Sequence, residues 1–178
     1  MSASTVQSSL EIMDVLSKIV VPLLVAAFAA FFSARFALNK FYKEKWWEKR
    51  LDAFTDIINL AYRLKMANDY FLNCEYAKRG NDEEDFKPHP KGIEDQLKSE
   101  YWIDQQNIER IAQLADFTLT ANTRTILEDY LAAREKIVQD WHDDAIDSLE
   151  GSERDYALSK QLLEKLVTEA KKELKIKA

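Results

Sequence analysis

The sequence predicts an all-α fold in which one N-terminal transmembrane helix continues into a cytoplasmic helical bundle. Three observations predict it. Residues Ile19 to Ala34 form a sixteen-residue apolar run without a charge. Three Gly and three Pro in 178 residues, with 31% charged, leave few breakers for hairpins and favour long amphipathic helices. From Phe41 onward, apolar residues recur at spacings of three and four, the period of a helix with one buried face. The division expected is residues 1–40 for the N-terminal segment and membrane helix, and 41–178 for the bundle.

The apolar run is short for a span, but Val15, Leu16, Phe36, Ala37 and Leu38 extend it, and Lys18 and Arg35 can reach back to the headgroups. A helix satisfies its own backbone in hydrocarbon, and Pro22, near one end, removes a single donor and allows a kink there. Arg35, Lys40, Lys43, Lys45, Lys49 and Arg50 follow the span, whereas Lys18 alone precedes it within the flank. By the positive-inside rule the N-terminus lies outside and the C-terminal domain in the cytoplasm. A cleaved signal peptide is the rival reading, with Ala27, Phe28 and Ala29 as its cleavage site, yet Glu11 and Asp14 carry the wrong charge for its leading segment.

Within the span, Ala26, Ala30 and Ala34 recur every fourth residue, the small-residue spacing that lets membrane helices approach closely. Phe28, Phe31 and Phe32 can pack between subunits or form a hydrophobic collar that gates by dewetting. The chain itself, as a ring-like homo-oligomer, and the lipid bilayer are therefore expected partners, against the simpler reading of a lone anchor.

Trp47, Leu51, Phe54, Ile58 and Ala61 carry the helical pattern to about Ala77 without a Gly or Pro. Trp46 and Trp47 suit an aromatic belt at the water boundary, although Trp47 serves equally as a core residue. Gly80, the acidic run Asp82 to Asp85 and Pro88-His89-Pro90 predict a loop. Periodicity resumes over Leu97 to Phe117. Thr125 with Glu128 forms a capping box for the next helix, whose start can also lie a turn earlier and which is expected to run to Leu149. Gly151 is read as its terminator, and Ser152 with Asp155 as the start of a last helix bearing Leu162, Leu163, Leu166, Val167, Ala170 and Leu174 on one face.

A formal net charge of -6 disfavours a general nucleic-acid coat, and the lone Cys74 excludes an intrachain disulfide framework. The sequence contains no phosphate-binding P-loop, zinc-protease or nucleophile-elbow motif, so no cofactor is expected. Asp143, Asp144 and Asp147 near His142 read as solvated acids rather than a cation site. One residue stands out: Arg134 falls in the middle of the apolar arc formed by Leu127, Leu131, Val138, Trp141, Ala145 and Leu149, with His142 on its flank. A charge there needs a partner, for which Asp116, Glu109 and Asp56 are candidates. An Arg/His pair also suits phosphodiester chemistry, the Arg holding phosphate and the His moving protons.

The stretch from Arg134 to His142 resembles a lengthened form of the Arg/His motif of HEPN ribonucleases, with seven intervening residues and Glu135 after the Arg. The architecture as a whole is similar to the small membrane accessory protein of type VI-B CRISPR systems. That resemblance implies a HEPN-like bundle, a homo-oligomeric pore in the bacterial inner membrane, and an RNA-guided type VI-B effector as functional partner. The pore would strengthen antiphage defence by permeabilising or depolarising the membrane, with Arg134 and His142 serving assembly or gating. The alternatives are a membrane-tethered HEPN-type ribonuclease that binds RNA directly, in which two copies of the pair converge, and a non-catalytic membrane-anchored adaptor.

Overall fold

A computed structural model describes residues 3–80 and 86–175, and their side chains apart from those of residues 3–14, Ser17 and Asp116. Glu11, Asp14, Asp116 and the run Asp82 to Asp85, all used in the sequence reading, lie outside the described side chains. Four helices make up the fold: α1 (Ala3–Lys78), α2 (Lys91–Thr118), α3 (Ala121–His142) and α4 (Ser148–Glu173), and no strand occurs among the described residues.

The chain divides into two compact units, Met1–Trp47 and Glu48–Ala178. In the first, α1 continues through Pro22. Every described side chain from Val15 to Lys49 is exposed, including Leu23, Phe28, Phe31, Phe32 and Phe36. This part of α1 is long and apolar enough to be a candidate membrane span. Trp46 and Trp47 are both more than half exposed, so Trp47 does not belong to the core, which begins a turn later at Leu51 and Phe54.

The second unit is an antiparallel four-helix bundle whose cross-links give its order. Arg63 on α1 makes two 2.7 Å bonds to Asp104 on α2, and Phe71 meets Tyr101 edge to face. Gln105 on α2 donates to the Tyr130 hydroxyl of α3 at 2.8 Å. On α3 and α4, Asp140 pairs with Arg154, and the Thr120 hydroxyl donates to Glu169. The circuit closes where Glu173 at the end of α4 meets Arg50 at 3.4 Å and Asn68 donates to the Asp155 carbonyl. Phe54, Ile57, Leu64, Ile108, Leu127, Leu162 and Leu166 are fully buried between these helices. Each contributes about 1.5–3 kcal/mol by leaving water.

Helix boundaries depart from the sequence reading where local chemistry overrides periodicity. Pro90 lies just before α2, which therefore starts at Lys91, ahead of the first apolar repeat, and Gly92 is simply absorbed. Thr120, not Thr125, caps α3, its hydroxyl accepting from the Thr123 amide at 3.1 Å. Thr125 instead turns its hydroxyl back onto the Ala121 carbonyl. α3 stops at His142 because Asp144 adopts a left-handed φ of 53° and the amides of Ala145 and Ile146 both return to the Asp140 carbonyl. Asp147 then caps α4 by accepting from the Leu149 and Glu150 amides, each at 2.9 Å. Gly151 is accordingly no terminator: it is buried inside α4 against Ile146. Ala145 and Leu149 fall beyond α3, and Trp141 at its end is 53% exposed, so the apolar arc inferred for this helix is shorter than its periodicity suggested.

Candidate functional site

The second unit carries its most unusual chemistry in a polar seam through the middle of the bundle. On α2, Tyr101, Gln105, Ile108 and Ala112 are buried at spacings of four, three and four. Two polar groups thus enter an otherwise apolar stripe. α3 brings Tyr130 and Arg134 to the same level, and α4 brings Asp155, the first member of a stripe continued by Ser159, Leu162 and Leu166. The sequence reading had used Asp155 as a cap residue, yet it lies two turns inside α4 and turns inward.

Arg134 satisfies its charge mainly through aromatic rings. Its guanidinium carbon stands 5.3 Å from the Trp102 ring centre and 5.8 Å from that of Tyr101. Among the described residues its Nε has no hydrogen-bond partner, and the carboxylate whose charge favours the cation is that of Asp155, rather than Glu109 or Asp56, which are exposed. Burial works against the cation, but the phenols of Tyr101 and Tyr130 and the Asp155 carboxylate outweigh it and leave Arg134 above its ordinary value. Burial holds the Asp155 carboxyl above the usual carboxylate range, with Arg134 pulling the other way. Tyr101 and Tyr130 are also pushed up, first by burial.

His142 occupies a different environment. It is the exposed last residue of α3, tilted against Trp141 with ring centres 5.6 Å apart. It lies eight helical steps beyond Arg134, a rise of about 12 Å. Within one chain the two residues do not converge on a common space. A groove of about 780 Å³ beside Arg134 is lined by Glu109, Glu128 and Glu135 as well as Arg124, a mixed set that presents no uniform field to an anion. Among the described residues no group of three or more His, Cys, Asp or Glu is placed to hold a metal ion. His89, between its two prolines, stacks on Tyr70 at 4.6 Å, and its amide donates to the Tyr70 hydroxyl, which fastens this loop to α1.

In the first unit, Ala26, Ala30 and Ala34 lie along one side of α1 with Phe28, Phe31 and Phe32 exposed on its other sides. Phe31 and Phe32 meet edge to face at 5.8 Å. Tyr101, Gln105, Tyr130 and Asp155 were missed in the sequence. The signal that singled out Arg134, a polar residue in phase with an apolar stripe, also marks Gln105, which falls in phase between Tyr101 and Ile108 within the periodic stretch Leu97 to Phe117.

The chain matches no protein-family model, no curated protein and no solved structure.

Proposed function

We propose that this protein is an oligomeric membrane pore that acts as the accessory of an RNA-guided type VI-B CRISPR effector, permeabilising or depolarising the bacterial inner membrane during antiphage defence. The observation that carries the reading is the bare apolar surface of α1. From Val15 to Leu38 its large side chains, among them Leu23, Val25, Phe28 and Phe31, are 40–75% exposed, and folding of the chain gives them no cover. Such a surface calls for lipid or for other copies of itself. Ala26, Ala30 and Ala34 supply the close-approach stripe for like helices, and Phe28 and Phe32, on the opposite side of the helix, with Phe31 between the two faces, supply the surface for an apolar collar. By the positive-inside rule, the cations after the span support a cytoplasmic bundle with the N-terminus outside. Inside the bundle, Arg134 serves architecture and subunit assembly, with His142 at the exposed end of α3. The resemblance to the type VI-B accessory supplies the effector as partner.

Mass photometry of the detergent-solubilised full-length protein, together with a membrane-potential dye in cells carrying the activated effector, tests this. A ring several-fold heavier than the chain, with loss of potential, is the expected result. A monomer with an unchanged potential overturns it.

A further inference from the structure

Just past the apolar stretch, α1 turns its carboxylates, Glu44 and Glu48, away from one polar face. At about 100° per residue, Arg35, Asn39, Tyr42 and Trp46 fall within an arc of about 60°, and Lys43 lies roughly 60° to one side of Trp46. Glu44 points about 160° away from Trp46, and Lys40, which pairs with Glu44 at 3.8 Å, also lies off the arc. All the residues of the arc are exposed, Tyr42 by 60% and Trp46 by 57%. The arc therefore joins the Arg35 guanidinium to an amide, a phenol and an indole N–H, and Lys43 adds a second cation at its edge. Every one of these groups donates hydrogen bonds, and the nearby carboxylate is turned away and engaged with another lysine.

We infer that Arg35, Tyr42, Lys43 and Trp46 form a headgroup clamp that selects anionic phospholipid at the end of the membrane span. The inference rests on the membrane reading of α1 and adds the chemistry of the lipid. A zwitterionic headgroup brings its own ammonium, which the two cations repel. A phosphatidylglycerol headgroup offers its phosphate alone, with hydroxyls for Asn39 and Tyr42. Trp46 suits the boundary itself, with its ring among the upper acyl chains and its N–H toward the headgroups. Lys43 acts as a flexible point charge, whereas Arg35 enters from the apolar side by extending toward the phosphates.

The full-length protein in phosphatidylcholine vesicles, doped with phosphatidylglycerol or phosphatidylcholine brominated near the top of the acyl chain, provides the test. Quenching at Trp46 is the part of the signal lost in Trp46→Phe. The brominated phosphatidylglycerol is expected to quench this component more strongly than the brominated phosphatidylcholine. Lys43→Gln should reduce that preference by roughly fivefold, the worth of one basic residue near an anionic surface, while Lys40→Gln leaves it unchanged. Equal quenching by both lipids overturns the clamp but leaves the membrane span standing. Equal loss in the Lys40 and Lys43 variants overturns the clamp in favour of unspecific charge. No quenching by either lipid overturns the membrane reading together with the clamp.

Discussion

The guanidinium carbon of Arg134 on α3 stands over the Trp102 ring of α2, 5.3 Å from its centre, at the half-exposed edge of a bundle whose core contacts are mostly apolar. This cation is held by π-faces, by the Tyr101 and Tyr130 phenols and, to a lesser degree, by the charge of Asp155, with its Nε unpartnered among the described residues. Replacing an imperfectly compensated charge with an apolar side chain of similar length is often neutral or stabilising, whereas deleting it leaves a void. Arg134→Met is therefore expected to keep stability within about 1 kcal/mol of the wild type, and Arg134→Ala to lose about 2–3 kcal/mol. Denaturant unfolding of the full-length protein in detergent, followed by circular dichroism, measures both; equal losses would show that the charge itself holds the bundle together.

Asp155 gives the bundle a pH dependence of definite sign. Burial raises its carboxyl above the ordinary value of 3.8, with Arg134 opposing. A raised folded value means that the protonated form favours folding. That contribution is complete below the unfolded value and disappears as pH rises through the folded one. Asp155→Asn, which cannot ionise, should match the wild type at acid pH and gain in melting temperature relative to it as pH rises. A difference that stays constant across the titration contradicts this.

Thr120 performs two tasks, capping α3 and bonding across to Glu169 on α4. Thr120→Ala is expected to cost about 1–2 kcal/mol and Thr120→Ser much less. Thr125→Ala, one turn further on and exposed, should stay within about 0.5 kcal/mol of the wild type. Comparing the three by thermal unfolding discriminates between the cap observed and the one periodicity suggested.

Ala30 sits at the centre of the small-residue stripe in α1. Ala30→Leu should push neighbouring copies of the helix apart and lower the particle mass in detergent, while Leu166→Ala, deep in the bundle, should cost about 2–5 kcal/mol in stability. If Ala30→Leu leaves the mass unchanged, this stripe is not the surface that brings the copies together.

The all-α class, the long apolar helix and the approximate places of all four helices were legible because hydrophobic period survives in any single sequence. Ends were harder. Thr120 and Asp147 are recognisable as caps only when it is known where the backbone stops, and Thr125 and Ser152 offered equally good chemistry nearby. Gly151 looked like a terminator because glycine usually is one; here it is a buried residue inside α4, where even a Cβ would meet Ile146 only at an ordinary contact distance of 3.8 Å. Arg134 was visible as a cation out of place, but its partners were not: the acids considered were chosen for charge, and Trp102 and Tyr101 answered it with their rings. Asp155 stayed hidden because, paired with Ser152, it reads as part of a helix start; only the cap at Asp147 puts it two turns inside α4.

The closing pair Arg50 and Glu173 has a practical corollary. Because α4 returns antiparallel to α1, a fluorophore attached at Lys175 emerges at the Arg50 end of the bundle, whereas one attached at Gly80 emerges at the other end, beyond Arg79 and Asp147. The 26 residues of α4 separate those ends by about 39 Å. Two site-specific dyes on a single polypeptide thus make a built-in ruler, and energy transfer from each to a labelled bilayer would report which end of the cylinder lies nearer the lipid.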